Sequence, residues 1–354
     1  MSLKKEIQKR LFSQFAKNET AIHELRYLFW ECTLRCNLNC LHCGSDCTSS
    51  SSVADMPADV FLKQAEKISK TMNASVITVV ITGGEPLLRK DLEQIGLALR
   101  KMGFRWSLVT NGLAYTVDRH LSLMGAGMGA LTLSFDGLED EHNWLRNSKQ
   151  SFEKAQRALE VLISTPRLNF DVVTCVNPRN IDKLEEIYTF FLEKGLQAWR
   201  LFTIAPIGRA KDNSELLLNR EQFTFLMEFI KKKKHEKEMY INFSCEAYVA
   251  AYETEVRDGF FFCRAGIHIG SILIDGGVSA CPNIDRGFVQ GNIYENDFSD
   301  IWNSKFQVMR DRSWTRTGSC ANCKEYKWCK GSGMHLWKKE SMELIQCHAS
   351  SVFT

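Results

Sequence analysis

The residues best suited to chemistry are three cysteines on one short stretch, Cys36, Cys40 and Cys43, with the spacing C-x3-C-x2-C. Three thiolates this close can each bind one iron of a [4Fe–4S] cluster and leave the fourth iron open to a ligand from outside the protein. A zinc site is the alternative, since structural zinc takes four ligands and His42 or Cys47 could supply the fourth. The spacing by itself leaves both kinds of site open.

A second motif, Gly83-Gly84-Glu85-Pro86, follows a β-branched run that predicts a buried strand. Two adjacent glycines allow the backbone to approach a ligand closely. The Glu85 carboxylate can accept hydrogen bonds from a cationic amine. A ligand-binding loop of this kind, in the same chain as the cysteine triplet, favours iron–sulfur chemistry over zinc.

Another group of cysteines lies near the end of the sequence and has enough thiolates to close a metal site. Its members are Cys320, Cys323, Cys329 and Cys347, with the spacing C-x2-C-x5-C-x17-C. Taken alone, this group is also typical of a zinc ribbon. Dense cysteine groups at both ends of the chain predict two metal sites.

The segments that must position these residues alternate between strand-like and helix-like patterns. Six strands are predicted, at residues 27–32, 76–82, 106–110, 130–135, 170–176 and 198–204. Strands separated by helices indicate right-handed βαβ units and a parallel sheet. The predicted fold class is therefore α/β, a partial (β/α)6 TIM-type barrel, with its active groups at the carboxyl ends of the strands.

The chain is predicted to have three parts. Residues 1–25 form a helical extension, and residues 26–239 form the partial barrel. Residues 240–354 form a loop-rich, cysteine-rich domain that includes a hairpin with a glycine turn at 271–280.

Composition excludes several classes of protein. The 354 residues carry 45 Lys+Arg against 42 Asp+Glu, and a net charge of +3 is too small for a general nucleic-acid or membrane binder. The sequence has no apolar run long enough for a transmembrane helix and no apolar segment typical of a signal peptide. The 13 cysteines are an odd number, which excludes a complete disulfide framework. A reducing, cytoplasmic location is therefore predicted.

The cysteine triplet and the Gly-Gly-Glu-Pro motif together resemble the radical S-adenosylmethionine (SAM) superfamily, over about residues 29–208. The resemblance implies that the methionine end of SAM binds the open iron and that an electron from the cluster cleaves SAM reductively. The resulting 5′-deoxyadenosyl radical would then abstract a hydrogen atom from the substrate. An enclosed barrel mouth would keep water away from such a radical.

The same resemblance assigns further residues to SAM, all of them at the ends of predicted strands or soon after. Gly83, Gly84 and Glu85, with Pro86, would hold the amino end of SAM. The others are Asn111 in a Thr-Asn-Gly turn, Ser134 and Asp136 in a segment that faces the ribose, and Arg146 as a contact of the SAM carboxylate. For Asn111 a purely structural role stays open. The resemblance names no residue that acts directly on the substrate.

The C-terminal cysteines resemble the SPASM extension of radical SAM enzymes, which carries auxiliary iron–sulfur clusters, over about residues 262–347. Cys263 and Cys281 match the upstream part of that pattern. Two further cysteines of the pattern are absent, because Ile269 and Gly333 occupy their positions.

These departures bear on the number of clusters. One complete auxiliary [4Fe–4S] cluster is predicted, bound by the four C-terminal cysteines of the C-x2-C-x5-C-x17-C group. Cys263 and Cys281 are weaker candidates for a second site, which would need help from a group such as Cys245 or His268.

The sequence therefore predicts a cytoplasmic radical SAM enzyme of the SPASM type that abstracts a hydrogen from a peptide or protein and modifies it. The predicted cofactors are SAM, the [4Fe–4S] cluster that binds it and at least one auxiliary [4Fe–4S] cluster. The predicted partners are the substrate and an electron donor such as flavodoxin or ferredoxin, with no nucleic acid and no membrane span. One alternative is a haem-biosynthesis-like enzyme that acts on a small molecule or a tetrapyrrole with a single auxiliary cluster. A more distant alternative is a zinc-binding protein without enzymatic activity.

Overall fold

A computed structural model describes residues 3–244 and 246–352 of the chain. Cys245, considered above as an additional ligand, lies outside the described residues. Within them, no helix is long and apolar enough to cross a membrane.

The centre of the structure is one curved sheet whose first seven strands are parallel and adjacent in chain order. These strands are β1 (Tyr27–Glu31), β2 (Thr78–Thr82), β3 (Arg105–Thr110), β4 (Ala130–Ser134), β5 (Asn169–Val176), β6 (Ala198–Thr203) and β7 (Tyr240–Phe243). On the other side of β1 the sheet continues through β8 (Ile269–Ile272), β9 (Gly277–Ser279) and β10 (Gly291–Asn292). Because parallel strands end at the same edge, the loops after β1 to β7 meet at one mouth.

Helices connect the strands, as a parallel sheet requires. In the barrel region they are α1 (Leu3–Ile22), α2 (Ala58–Thr71), α3 (Leu92–Lys101), α4 (Val117–Gly125), α5 (Glu139–Arg146), α6 (Ser151–Ile163), α7 (Leu184–Lys194) and α8 (Arg220–Glu236). The C-terminal region adds α9 (Phe298–Lys305), α10 (Gln307–Arg310), α11 (Tyr326–Cys329) and a small hairpin of β11 (Trp337–Lys338) and β12 (Glu343–Leu344).

The six predicted strands and the α/β partial-barrel class are confirmed, and the sheet is longer than predicted. The strand β7 pairs in parallel with β6, and β8 pairs in parallel with β1, where Tyr27 is opposite Ile269. The predicted hairpin forms from β8 and β9, with Ser271 opposite Ser279. The domain boundary at 239/240 stays a prediction, and the sheet runs through it.

Large aromatic side chains fill the space between sheet and helices. Trp30 on β1 stacks on Phe61 of α2, with ring centroids 4.1 Å apart, and both side chains are fully buried. Trp106 on β3 and Trp199 on β6 are buried in the same core. These contacts fix the strands whose carboxyl ends carry the candidate site.

Arg89, after β2, is a buried cation that holds two loop segments at the mouth. Its Nη1 donates to the carbonyl oxygens of Cys32 and Met56, both at 2.9 Å, and its guanidinium lies 5.0 Å from the centre of the Trp30 ring. The salt bridge from Arg89 to Asp91, at 2.6 Å, supplies the counter-charge.

Replacing Arg89 with methionine is therefore expected to destabilise the protein by about 3 kcal/mol, since two buried carbonyls lose their donor. The midpoint of thermal unfolding, followed by circular dichroism without oxygen, measures the loss. Arg105→Met is the matched control, because its exposed guanidinium reaches only the carbonyl of Ser75, and its effect should stay within about 0.5 kcal/mol. Equal losses in the two variants would contradict the role given to Arg89.

Candidate active site

The triplet loop, residues 33–44, follows β1 and carries the first three candidate cysteines. Cys36 and Cys40 are buried and Cys43 is half-buried, and all three pack in one small cluster with Leu38 and Cys47. The loop therefore presents three thiols from one side of the barrel mouth.

Ion pairs and backbone hydrogen bonds hold the start of the triplet loop. The Arg35 guanidinium forms a two-pronged contact with Asp55, with Nη2 and Oδ2 2.5 Å apart. The amide of Cys36 donates to the carbonyl of Thr48 at 3.0 Å. Cys36 thus has a fixed backbone position.

The segment after β6 holds the other end of the loop. Arg209 donates from Nε to the Cys40 carbonyl at 2.7 Å and from its amide to the Cys43 carbonyl at 3.0 Å. Gly208 has φ +54°, and a Cβ there would lie 2.3 Å from the Cys43 oxygen. Only glycine allows this close approach.

The three thiols have different surroundings, and their pKa values shift in different directions. Burial raises the pKa of Cys36 to about 11, and burial also raises the pKa of Cys40, although Arg146 opposes that rise. Hydrogen bonding from Cys47 lowers the pKa of Cys43 to about 5. Metal ligation requires thiolates, so binding iron here would release protons from Cys36 and Cys40.

The Gly-Gly-Glu-Pro motif lies directly against the triplet loop. A Cβ on Gly83 would lie 2.2 Å from the Thr33 carbonyl oxygen, and one on Gly84 would lie 2.1 Å from the Arg35 carbonyl oxygen. The amide of Gly84 donates to Thr33 at 2.7 Å. The two glycines are therefore required by backbone packing, whether or not a ligand is bound.

The Glu85 carboxylate is buried and already has three donors. Oε1 accepts from the Thr110 hydroxyl at 2.9 Å and from the Leu87 amide at 3.1 Å, and Oε2 accepts from the Asn111 amide at 2.8 Å. Burial raises the pKa of Glu85 in spite of these donors. A carboxylate offers about four acceptor positions, so one remains for a cationic amine. Pro86 is buried and begins the short turn after this residue.

Asn111 connects the end of β3 to the triplet loop. Its Nδ2 donates to the Asn37 side chain at 2.9 Å and lies 3.8 Å from Cys36 Sγ, within hydrogen-bonding range of sulfur. Its Oδ1 accepts from the Leu113 amide at 2.8 Å. These contacts fit the structural role left open above, and they orient a cluster cysteine.

Asp136 and Arg146 form a buried ion pair, with Arg146 Nε 2.5 Å from Asp136 Oδ2. Burial alone would raise the pKa of Asp136, but Arg146 outweighs it and holds that pKa below its usual value. The other carboxylate oxygen accepts from the Cys175 amide at 2.8 Å, and Arg146 Nη1 lies 3.7 Å from Cys40 Sγ. Both side chains thus face protein groups, and their contacts with SAM stay a prediction.

Ser134, the last residue of β4, is half-buried at the mouth. No hydrogen bond of its hydroxyl to a described residue is present, so the group is available to a ligand. The sequence missed α5, which positions Arg146. The three acidic residues of its first turn are the signal that could have revealed it.

The structure also brings together a polar cluster that the sequence did not predict. His42, Asp136 and Cys175 have ligand atoms all within 4.8 Å of one another, and they are the one set of three such groups that the described residues contain. Burial lowers the pKa of His42 to about 4, which makes its ring neutral at physiological pH. The cluster lies between the triplet loop and the ends of β4 and β5.

The C-terminal cysteines also lie within electrostatic range of one another. Burial raises the pKa of Cys329 to about 12, and the thiols of Cys347 and Cys320 add to the rise. Burial, followed by Cys347, raises the pKa of Cys320, and Cys323 adds to it. A donor set of four thiols fits a cluster with no open iron.

Cys263 and Cys281, the weaker candidates for a second site, are both half-buried. A Cβ on Gly333 would lie 2.5 Å from the Glu246 carbonyl oxygen, so a cysteine there would displace the backbone. Cys263 instead packs with Phe261, in the small cluster that also contacts Cys329 and Cys347. The packing around Gly333 therefore leaves no room for the cysteine that the SPASM pattern would place there.

A cavity of about 380 Å³ opens beside the triplet loop. It lies between residues 44–46, residues 206–208 and the C-terminal residues 282–286. Glu31, at the end of β1, lines it and connects the two regions, because its Oε2 accepts from the Ile274 amide at 3.0 Å and from Arg286 Nη2 at 2.9 Å.

Comparison with known proteins agrees with the fold and with the two cysteine groups. The radical SAM superfamily profile matches residues 30–191, and the profile of SPASM, an iron–sulfur cluster-binding domain, matches residues 263–324. The chain belongs to the radical SAM superfamily and carries a SPASM domain.

Two groups of curated relatives differ in what they do. The AdoMet-dependent heme synthase of Methanosarcina barkeri is 27% identical over 327 residues, which are 86% of this chain and 90% of the relative. The mycofactocin maturase MftC of Mycolicibacterium smegmatis is 29% identical over 331 residues, 92% of this chain and 81% of the relative.

Solved structures confirm the fold. The enzyme anSMEcpe with bound AdoMet and a Cp18Cys peptide has a TM-score of 0.72 at 20% identity, over 93% of this chain and 94% of that one. Streptococcus suis SuiB bound to its precursor peptide SuiA has a TM-score of 0.68 at 15% identity. The match covers 90% of this chain and 74% of SuiB.

The protein is therefore a radical SAM enzyme. Its cofactors are SAM, the [4Fe–4S] cluster that binds SAM and at least one auxiliary [4Fe–4S] cluster. The alternative of a zinc-binding protein without enzymatic activity is wrong.

Replacing Gly84 with alanine is expected to displace the triplet loop, because the added Cβ would lie 2.1 Å from the Arg35 oxygen. The variant should lose roughly four of about eight irons per chain, the content of one [4Fe–4S] cluster. Iron analysis after anaerobic reconstitution measures this loss. Gly125→Ala is the control, since nothing lies within 4 Å of its added Cβ. A Gly84→Ala protein with full iron content would contradict the packing argument.

Proposed function

We propose that the enzyme generates a 5′-deoxyadenosyl radical from SAM and abstracts a hydrogen atom from a peptide or protein, as one step of a post-translational modification. The observation that carries this proposal is the cavity between the triplet loop and the C-terminal region. Its rim includes exposed charged residues such as Asp46, Lys211, Asp285 and Lys338. An extended chain can reach this rim from the surface and place one side chain inside.

In this proposal Cys36, Cys40 and Cys43 bind the cluster that receives SAM, and the fourth iron stays open. When bound, the cluster supplies the electron that cleaves SAM. Glu85 accepts the amino group with its remaining acceptor position, and the Ser134 hydroxyl contacts the ribose.

The remaining cofactor residues have supporting roles. Gly83, Gly84 and Pro86 keep the Glu85 loop against the triplet loop. Asn111 and Arg146 place N–H groups beside Cys36 and Cys40, and Asp136 holds Arg146 in place. The four C-terminal cysteines bind the auxiliary cluster, which transfers electrons.

Two comparisons support a peptide substrate. MftC is named as a maturase and matches 92% of this chain. The solved structures of similar fold include complexes with peptides. The cavity, at about 380 Å³, is near the lower end of the range of about 300–1,000 Å³ for ligand pockets.

A tetrapyrrole substrate is the second candidate. The heme synthase relative supports it, because the match covers 90% of that protein. The closed packing at Gly333 also supports it, since a further cysteine ligand of the SPASM pattern does not fit at that position.

The proposed location is the cytoplasm, and the proposed reaction needs an electron donor. No disulfide joins two of the described cysteines, which suits a cytoplasmic, reducing compartment. Reductive cleavage of each SAM consumes one electron, so a one-electron donor such as flavodoxin or ferredoxin is required.

Anaerobically reconstituted, reduced protein should convert SAM to 5′-deoxyadenosine, measured by liquid chromatography. Cys36→Ala should abolish this product, because the cluster loses a ligand. Cys32→Ala is the control, since Cys32 is a fully buried core thiol before the loop. About eight irons per chain are expected, whereas about twelve would indicate a second auxiliary cluster. A wild-type protein with full iron content and no 5′-deoxyadenosine would refute the proposed chemistry.

The substrate class can be tested by isotope transfer. A deuterated peptide encoded beside this protein should transfer deuterium into 5′-deoxyadenosine, detected by mass spectrometry. A deuterated iron tetrapyrrole, tested in parallel, should give none. Transfer from the tetrapyrrole alone would favour the second candidate.

A further inference from the structure

Arg312 is a cation without an acidic partner among the residues that the structure describes. Its side chain is half-buried, between α10 and the C-terminal cysteines. The Nε and Nη2 atoms are shielded from solvent and have no hydrogen-bond partner among the described residues. Burying an unpaired guanidinium costs several kcal/mol. An anion that is not a side-chain carboxylate of the described chain would compensate this charge.

The backbone at Arg312 is rigid. Its carbonyl oxygen accepts from the Thr315 amide at 3.0 Å, from the Thr315 hydroxyl at 2.7 Å and from the Tyr326 hydroxyl at 2.8 Å. Tyr326 begins α11, which ends at Cys329. The position of the Arg312 side chain is therefore tied to the segment that carries a candidate ligand.

A group that could supply this anion lies close by, because Arg312, Tyr326 and Cys329 line the same cavity of about 520 Å³. Arg312 and one member of the four-thiol set therefore border a common space.

Arg146, beside the N-terminal cysteine group, differs from Arg312 because it has an acidic partner. It also lies beside a candidate ligand, Cys40, but the carboxylate of Asp136 neutralises its charge. Arg312 has no such carboxylate among the described residues, so no acidic side chain there neutralises its charge.

We propose that Arg312 is a positioning residue that supplies the counter-charge and N–H donors of the auxiliary cluster and thereby raises its reduction potential. The inference rests on the proposed function, in which four thiolates bind this cluster. A [4Fe–4S] core with four thiolates is anionic when oxidised and gains one more negative charge when it takes up an electron. A nearby cation therefore stabilises the reduced state more than the oxidised state, and hydrogen bonds to sulfur act in the same direction.

The test uses the full chain in which Cys36, Cys40 and Cys43 are replaced by alanine, so that the auxiliary cluster is observed alone. Arg312→Gln is introduced into this parent, and electron paramagnetic resonance measures the fraction reduced at set potentials. Where the parent cluster is half reduced, the ratio of reduced to oxidised cluster should fall about tenfold, equivalent to about 59 mV for one electron.

Arg316→Gln is the matched control, because Arg316 is exposed on the same segment and donates to the Ala321 carbonyl. Its ratio should equal that of the parent. A ratio for Arg312→Gln equal to that of Arg316→Gln would overturn the proposal.

Arg312→Lys covers the case in which Arg312→Gln does not assemble its cluster. The lysine variant keeps the positive charge and loses the directed N–H donors of the guanidinium. Its ratio of reduced to oxidised cluster should therefore fall about threefold, which is less than the fall in the glutamine variant. An unchanged ratio in the lysine variant would then overturn the proposal. The proposed function has a separate readout, since its failure would appear as missing 5′-deoxyadenosine in the wild-type chain with its triplet intact.

Discussion

The site depends on how closely the backbone of the triplet loop can approach its neighbours. Three glycines make this possible, since Gly83, Gly84 and Gly208 each lie where a Cβ would overlap a carbonyl oxygen of the loop. The carbonyl oxygens of Thr33 and Arg35 in turn accept amide hydrogen bonds from the loop after β2. The cysteines are therefore held by main-chain contacts from two strand ends.

Much of the architecture could be predicted from the sequence because its signals are local. The run at 78–82 is β-branched and forms a strand, and the glycine turn at 276 forms the predicted hairpin. The two cysteine groups could be found by spacing alone. The strand β7 and helix α5 were missed because their patterns are short, with four and eight residues.

Contacts between distant segments could not be predicted in the same way. Sequence spacing cannot show that Arg146 reaches Cys40, or that Asp136 forms a buried ion pair with Arg146. The role of Gly333 was visible only as a missing cysteine. The structure adds the physical reason, because the Glu246 carbonyl fills the space that a side chain would need. Both cases depend on three-dimensional proximity between residues far apart in the chain.

The pairing of β8 with β1 has a consequence for how the protein is made. The strand that leads into the triplet loop is not flanked on both sides until Ile269 is available to pair with Tyr27. At translation rates of about 5–20 residues per second, that wait is on the order of ten seconds or more. The nascent chain therefore exposes one edge of its first strand throughout most of synthesis.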